Sequence, residues 1–117
     1  MKLTGVQEAL AVGAGGFAGA IVRHLIVGII GSTFGIVAVN ILGCLALGIF
    51  SQDSRFTLFL ATGFLGALTT FSAYGGHAVN LWNSGQMLTA SLFIFINIVA
   101  GISAFVLGAF LNTKFML

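Results

Sequence analysis

The chain has 117 residues, 59% of them hydrophobic and only 5% charged, with a formal net charge of +2 and a mean hydropathy of +1.18. An ordinary soluble domain carries roughly 25% charged residues, and one this small cannot hide so much apolar surface within itself. The composition therefore excludes a water-soluble globule, and the small net charge gives no footing for a nucleic-acid partner. The 58 residues from Phe56 to Thr113 contain no Asp, Glu, Lys or Arg. A membrane helix needs about 20 apolar residues, so this run alone holds two spans, and membrane lipid is the expected solvent.

The first span is expected over Val6–Ile30. Met1 and Lys2 lead into it as they would into a signal peptide, but Ala9–Val22 shows no cleavage region, so the segment reads as retained. Gly15 and Gly19 form a GxxxG step, and Arg23, four residues further on, shares their helical face. An Arg at the bilayer centre costs on the order of 3 kcal/mol on insertion scales. Two uses of Arg23 stand side by side: it snorkels to the interface, or it forms a positive collar that gathers anions at an aqueous vestibule.

Gly31-Ser32 reads as a short turn, and the second span follows over Thr33–Phe50. Asn40 lies near its middle, with Gly43 one turn below. A buried amide needs a partner. That partner is either another helix or an anion that accepts from its NH2 group. Cys44, the single cysteine, reads as a small packing residue.

Ser51-Gln52-Asp53-Ser54-Arg55 is the one clearly polar loop. The third span, expected over Phe56–Leu81, carries Gly63-Phe64-Leu65-Gly66-Ala67-Leu68-Thr69-Thr70-Phe71-Ser72. Two glycines followed by hydroxyl and β-branched residues compete with a regular helix. Two outcomes stay open on the residues alone: a continuous helix whose hydroxyls bond back to the preceding turn, or a break near mid-membrane. A break survives at that depth only when buried in protein or facing a water-filled cavity. Freed carbonyls then suit a cation, and freed N–H groups and hydroxyls suit an anion. Phe71 and Tyr74 share a face just beyond, and the positive edge of an aromatic ring can meet an anion. His77 carries two readings, a group that titrates near neutral pH and tunes a pore or a neutral polar residue near the end of the span.

Asn83-Ser84-Gly85-Gln86 reads as the next turn. The fourth span is expected over Met87–Leu111, with a short tail holding Lys114, and Asn97, Gly101, Phe105 and Gly108 fall on one stripe. The whole chain, residues 1–117, reads as one all-α membrane domain of four transmembrane helices. An even number of spans puts Lys2, Arg55 and Lys114 on one side, which the positive-inside rule assigns to the cytoplasm.

Three stretches together resemble the Fluc (CrcB-like) family of fluoride channels: Gly15-Gly16-Phe17-Ala18-Gly19-Ala20-Ile21-Val22-Arg23, Val39-Asn40-Ile41-Leu42-Gly43, and the Gly63–Ser72 stretch above. Their order, spacing and span assignment agree with it, and the glycine-Thr-Thr-Phe-Ser piece is the most specific. The resemblance implies an antiparallel dimer with two fluoride pores, a broken third helix, and passive fluoride export across the bacterial cytoplasmic membrane that protects the cell from accumulated HF. It implies a structural Na+ at the dimer centre, held by the carbonyls of Gly66 and Thr69 from both subunits. It places Asn40, Phe71 and Tyr74 along the pore and Arg23 at its vestibule; there the hydroxyls of Ser72 and Thr70 are expected to add donors that replace the water of a small, strongly hydrated anion. Departures from the pattern fall at Tyr74 (for a Phe), at Gly75-Gly76-His77 (for Ser and Glu), at His24 (for an aromatic) and near Ile98, where a hydroxyl is missing and Asn97 is adjacent. One explanation is a mixed dimer, in which this chain pairs with a homologue and supplies part of each pore.

Two rival classes differ in their residues. A small four-span multidrug transporter needs a carboxylate in the membrane to exchange protons for drug, and the acids here are Glu8, at the start of a span, and Asp53, in a loop. A non-conducting assembly subunit would account for the glycine stripes but not for Thr-Thr-Phe-Ser, Asn40 and Arg23 together. An enzyme is not expected, because two His and two acids assemble no nucleophile–base–acid set.

Overall fold

The computed structural model describes residues 3–50 and 57–116. Among these residues the chain is all helical: α1 Gly5–Ile30, α2 Ser32–Ile49, α3 Leu58–Leu65, α4 Gly66–Leu68, α5 Phe71–Asn83 and α6 Met87–Met116. α3 is wound in the wide π form, α4 adds a short α-helical turn to it, and together with α5 they make up the third span. Four stretches, Gly5–Ile30, Ser32–Ile49, Leu58–Asn83 and Met87–Asn112, are long and apolar enough to cross a membrane. Large apolar side chains such as Phe17, Ile29, Phe34 and Leu88 stand exposed on the outside. Helices satisfy their own backbone and so tolerate lipid. The chain is a multi-pass membrane protein. The polar loop expected over Ser51–Arg55 lies outside the described residues, as do Lys2 and the side chain of Lys114, so the one-sided charge placement does too.

Local chemistry sets the ends of the helices. Thr4 caps α1 in a capping box: its hydroxyl accepts from the Gln7 N–H at 3.2 Å and its own N–H donates to Gln7 Oε1 at 3.0 Å. α1 and α2 are joined through Gly31 alone, at φ 101°, a backbone conformation that glycine adopts without strain. The expected Gly31-Ser32 turn is therefore one residue shorter, because Ser32 already belongs to α2. The turn at 84–86 closes on the last turn of α5, with Gln86 N–H donating to Leu81 O at 3.0 Å. α6 runs on to Met116, past the expected end at Leu111. Asn112 Nδ2 donates to Ile49 O at 2.6 Å and ties that extra turn to the end of α2.

Packing follows the small-residue stripes. Gly15 and Gly19 press α1 against the backbone of the third span: an added Cβ at Gly19 would lie 2.1 Å from Phe64 O, and one at Gly15 2.0 Å from Phe59 O. Gly48 and Gly108 bring α2 and α6 equally close, each against the other helix's backbone. Such contact is the main attraction between helices where lipid removes the hydrophobic drive. Two buried clusters result. Val39, Leu65 and Leu68 join α2 to α3 and α4, with Val22 and Ile26 of α1 packed on them. Ile36, Tyr74, Ala78, Leu81, Ala90 and Phe93 join α2, α5 and α6. Gly19→Ala forces a methyl into a carbonyl oxygen that cannot move alone, so α1 must part from the third span. The expected loss is about 1–3 kcal/mol, in the range of overpacked cores, read as a lower midpoint of thermal aggregation in detergent. An unchanged midpoint would mean that this contact is not formed.

Candidate functional site

α4 ends at Leu68 and α5 begins at Phe71. Thr69 (φ −77°, ψ 150°) and Thr70 (φ −145°, ψ 121°) between them are extended. Six side-chain contacts account for that geometry. The Thr69 hydroxyl lies 3.2 Å from Leu65 O and 3.3 Å from Gly66 O, to which it donates at the end of α4. The Thr70 hydroxyl caps α5 by accepting from Ala73 N–H at 3.1 Å, and lies 3.5 Å from Ser72 Oγ. Asn40, from α2, pairs with the Thr70 peptide twice: its Oδ1 accepts from Thr70 N–H at 2.7 Å and its Nδ2 donates to Thr70 O at 3.2 Å. In a regular helix Thr70 N–H would bond Gly66 O and Ala73 N–H would bond Thr69 O; both amides are bonded elsewhere.

The remaining donor of Asn40 also has a partner. Nδ2 donates to Asn97 Oδ1 of α6 at 2.8 Å, and Asn97 Nδ2 donates in turn to Phe93 O at 2.8 Å. Both readings of the Asn40 amide bear on this: the interhelical bond is present, and the NH2 group that would serve an anion is engaged.

Aromatic rings line up beside this network. The Phe71 and Tyr74 centroids are 5.5 Å apart, those of Tyr74 and Phe93 5.6 Å, and His77 meets Phe93 edge-on at 5.1 Å. The two candidate rings differ in burial. Phe71 is 83% exposed, whereas Tyr74 is buried and its hydroxyl donates to Ile94 O at 3.4 Å. A cavity of about 310 Å³ opens beside them, lined by Asn40, Cys44, Thr69, Thr70, Phe71 and Tyr74 together with Asn97 and the Ile98–Ile102 side of α6.

The fold thus brings Asn40, Thr69, Thr70, Phe71 and Tyr74 to one cavity. Ser72, two residues after Thr70, is exposed and reaches the group through the Thr70 hydroxyl. Arg23 and Gly66 do not line it. Arg23 Nε donates to Ala67 O at 2.9 Å, so the guanidinium is tied to the end of α4. His77 is held by Thr33, whose hydroxyl lies 2.7 Å from its Nε2. His24 is exposed on α1. Sequence reasoning missed the pairing of Asn97 with Asn40. The signal was present: Asn97 and Gly101 share one stripe, and an amide on a small-residue face of a membrane helix wants a polar partner across it.

Comparison with known proteins is consistent over most of the chain. Residues 10–109 match the family model described as CrcB-like protein, Camphor Resistance (CrcB). The chain is 42% identical over 105 residues to a fluoride-specific ion channel FluC of Methanocaldococcus jannaschii, covering 80% of this chain and 85% of that one. It is 38% identical over 112 residues to a protein of the same name in Chlorobium phaeobacteroides, covering 85% and 88%. It is 34% identical over 121 residues to another in Methanococcus vannielii, covering 94% and 99%.

Proposed function

Because the chain belongs to the CrcB-like family, we propose that it is a fluoride-selective channel through which F− leaves the cell passively down its gradient. It is a conduit and not an enzyme, as its named relatives are. The observation that carries the reading is the extended Thr69–Thr70 pair, held by Asn40 beside a cavity that Phe71 and Tyr74 line. In this reading the third span is interrupted near mid-membrane, and the interruption builds the pore wall.

Fluoride is small and strongly hydrated, so a selective path must replace its water with close donors. The Thr70 and Ser72 hydroxyls and the edges of Phe71 and Tyr74 supply them, and Arg23 raises the local concentration of anions at the vestibule. Two pores formed between antiparallel copies would each draw on both subunits. The exposure of Phe71 supports such a partner, since a ring left facing outward by one chain is free to face the other.

The donor set also fits a hard cation at the dimer centre. The amides that would close a regular helix onto the carbonyls of Gly66 and Thr69 are diverted, and neutral oxygens suit Na+. Arg23 occupies the Ala67 carbonyl between them, and the Thr69 hydroxyl reaches Gly66 O at 3.3 Å, a long bond that a cation could replace. Such an ion, when bound, would lower the electrostatic penalty of bringing an anion into a low-dielectric site.

The deciding experiment is fluoride efflux from liposomes carrying the purified chain, read with a fluoride electrode against a chloride control. Rapid fluoride loss with little chloride loss is expected. No flux from folded protein would move the weight to a mixed dimer with a homologue, to be tested by co-expression. The transporter reading is tested in the same liposomes. Glu8 sits in the first turn of α1, beside the capping box and far from the middle of the span. Glu8→Gln is expected to leave fluoride flux unchanged; loss of transport would revive a carboxylate-coupled exchanger.

A further inference from the structure

Asn40 is oriented by a chain of hydrogen bonds whose two ends have fixed polarity. At one end Phe93 O can only accept, so it selects the NH2 end of Asn97. The Oδ1 of Asn97 is then the group that faces Asn40, and it too can only accept, at 2.8 Å from Nδ2. Asn40 Oδ1 then takes Thr70 N–H, which can only donate, and the second Nδ2 hydrogen goes to Thr70 O, so Asn97 and the Thr70 peptide demand the same orientation from its two sides. Reversing either amide would set N–H against N–H at one junction and oxygen against oxygen at another. Asn97 is buried, 8% exposed, and lines the same cavity as Asn40, Thr70, Phe71 and Tyr74.

We propose that Asn97 is a positioning residue of the pore: it braces the Asn40 amide from the side away from Thr70, so that the amide keeps both of its bonds to the Thr70 peptide at the pore wall. The inference rests on the channel reading and deepens it. An Asn40 amide that swings free would release both Thr70 N–H and Thr70 O, and with them the extended backbone that lines the cavity. Asn97 touches neither the Thr69–Thr70 backbone nor the aromatic pair in the contacts above; it acts through Asn40. The requirement at position 97 is specific: a group that donates back to Phe93 O and accepts from Asn40 Nδ2. A Thr there can do both, since its hydroxyl commonly bonds the carbonyl one turn back in a helix and keeps lone pairs free. A Val of the same shape can do neither.

The test compares Asn97→Thr with Asn97→Val in the liposome efflux assay, both checked for intact assembly by gel filtration. With the loss of about one hydrogen bond's orienting energy, fluoride flux should fall about tenfold in the Val variant and far less in the Thr variant. Equal flux in the two, whether high or low, overturns the proposal. If the Val variant does not fold, Asn97→Ser against Asn97→Ala makes the same comparison with smaller side chains. A second readout needs no transport: the side-chain amide protons of Asn40, followed by nitrogen-15 NMR in micelles and assigned by their absence in Asn40→Asp. Two downfield, exchange-protected protons, one bonded to Thr70 O and one to position 97, are expected in the parent and Asn97→Thr, with protection lost in Asn97→Val; retention of protection at both in Asn97→Val overturns the proposal. A parent that passes no fluoride would sink the channel reading alone, and the NMR comparison would then decide this one.

Discussion

Phe71→Ile is expected to lower fluoride efflux at least about tenfold while the protein still assembles normally, a drop that corresponds to about 1.4 kcal/mol of lost stabilisation for the ion in its path. The structure explains why flux and folding should separate. Phe71 follows Thr70 as the first residue of α5, and its side chain is 83% exposed, so few core contacts depend on it. Ile is similarly apolar and fits lipid or a partner helix, but it lacks the electropositive ring edge that can meet an anion. The centroid 5.5 Å away in Tyr74 would be left as the one ring of the pair, and that ring is buried with its hydroxyl bonded to Ile94 O. Efflux would be measured beside chloride efflux and gel filtration of the same preparation. Unaltered fluoride flux would remove Phe71 from the conduction path.

Asn40→Leu is expected to damage both stability and flux. Leu fills a similar volume, so the substitution leaves no large void. It does strip Thr70 N–H of its hydrogen-bond acceptor and Asn97 Oδ1 of its donor. Each group left unsatisfied in a buried site costs about 1–3 kcal/mol, and the surrounding lipid offers no replacement. Denaturation in detergent should move to clearly milder conditions, and reconstituted protein should lose fluoride flux. A stability change below about 1 kcal/mol would show that water already serves these groups, and that Asn40 braces nothing. Together the two substitutions separate the expected roles: Phe71→Ile tests the ion path with little effect on the fold, and Asn40→Leu tests both.

Much of this molecule was legible in its residues. Four spans follow from composition and hydropathy, because insertion into lipid depends on a sum over each segment that needs no knowledge of its neighbours. The expected ends of the helices fall within a few residues of those observed, since Thr4, Gly31 and Gly85 act on adjacent backbone. The glycine stripes pointed to the faces that pack: Gly15 and Gly19 meet the third span, and Gly108 meets α2. The late end of α6 was not legible, because it depends on Asn112 reaching Ile49, 63 positions away.

The candidate site divides in the same way. Its residue types and their order along the chain could be named from the sequence, and with them the family. Which polar group holds which could not. Arg23 reaches Ala67 across 44 positions, Asn40 reaches Thr70 across 30 and Asn97 across 57, and Thr33 meets His77 across 44. An amide or guanidinium bonds whatever the packing of its helix brings within about 3 Å, and that register is set by close backbone contacts such as Gly48 on Gly108. The sequence by itself determined that the chain crosses the membrane four times and which polar residues it takes in with it. Only the tertiary structure decided that Arg23 braces the end of α4 and that the Asn40 amide is spent on Thr70 and Asn97, because pairing between helices is a property of their contact and not of either segment alone.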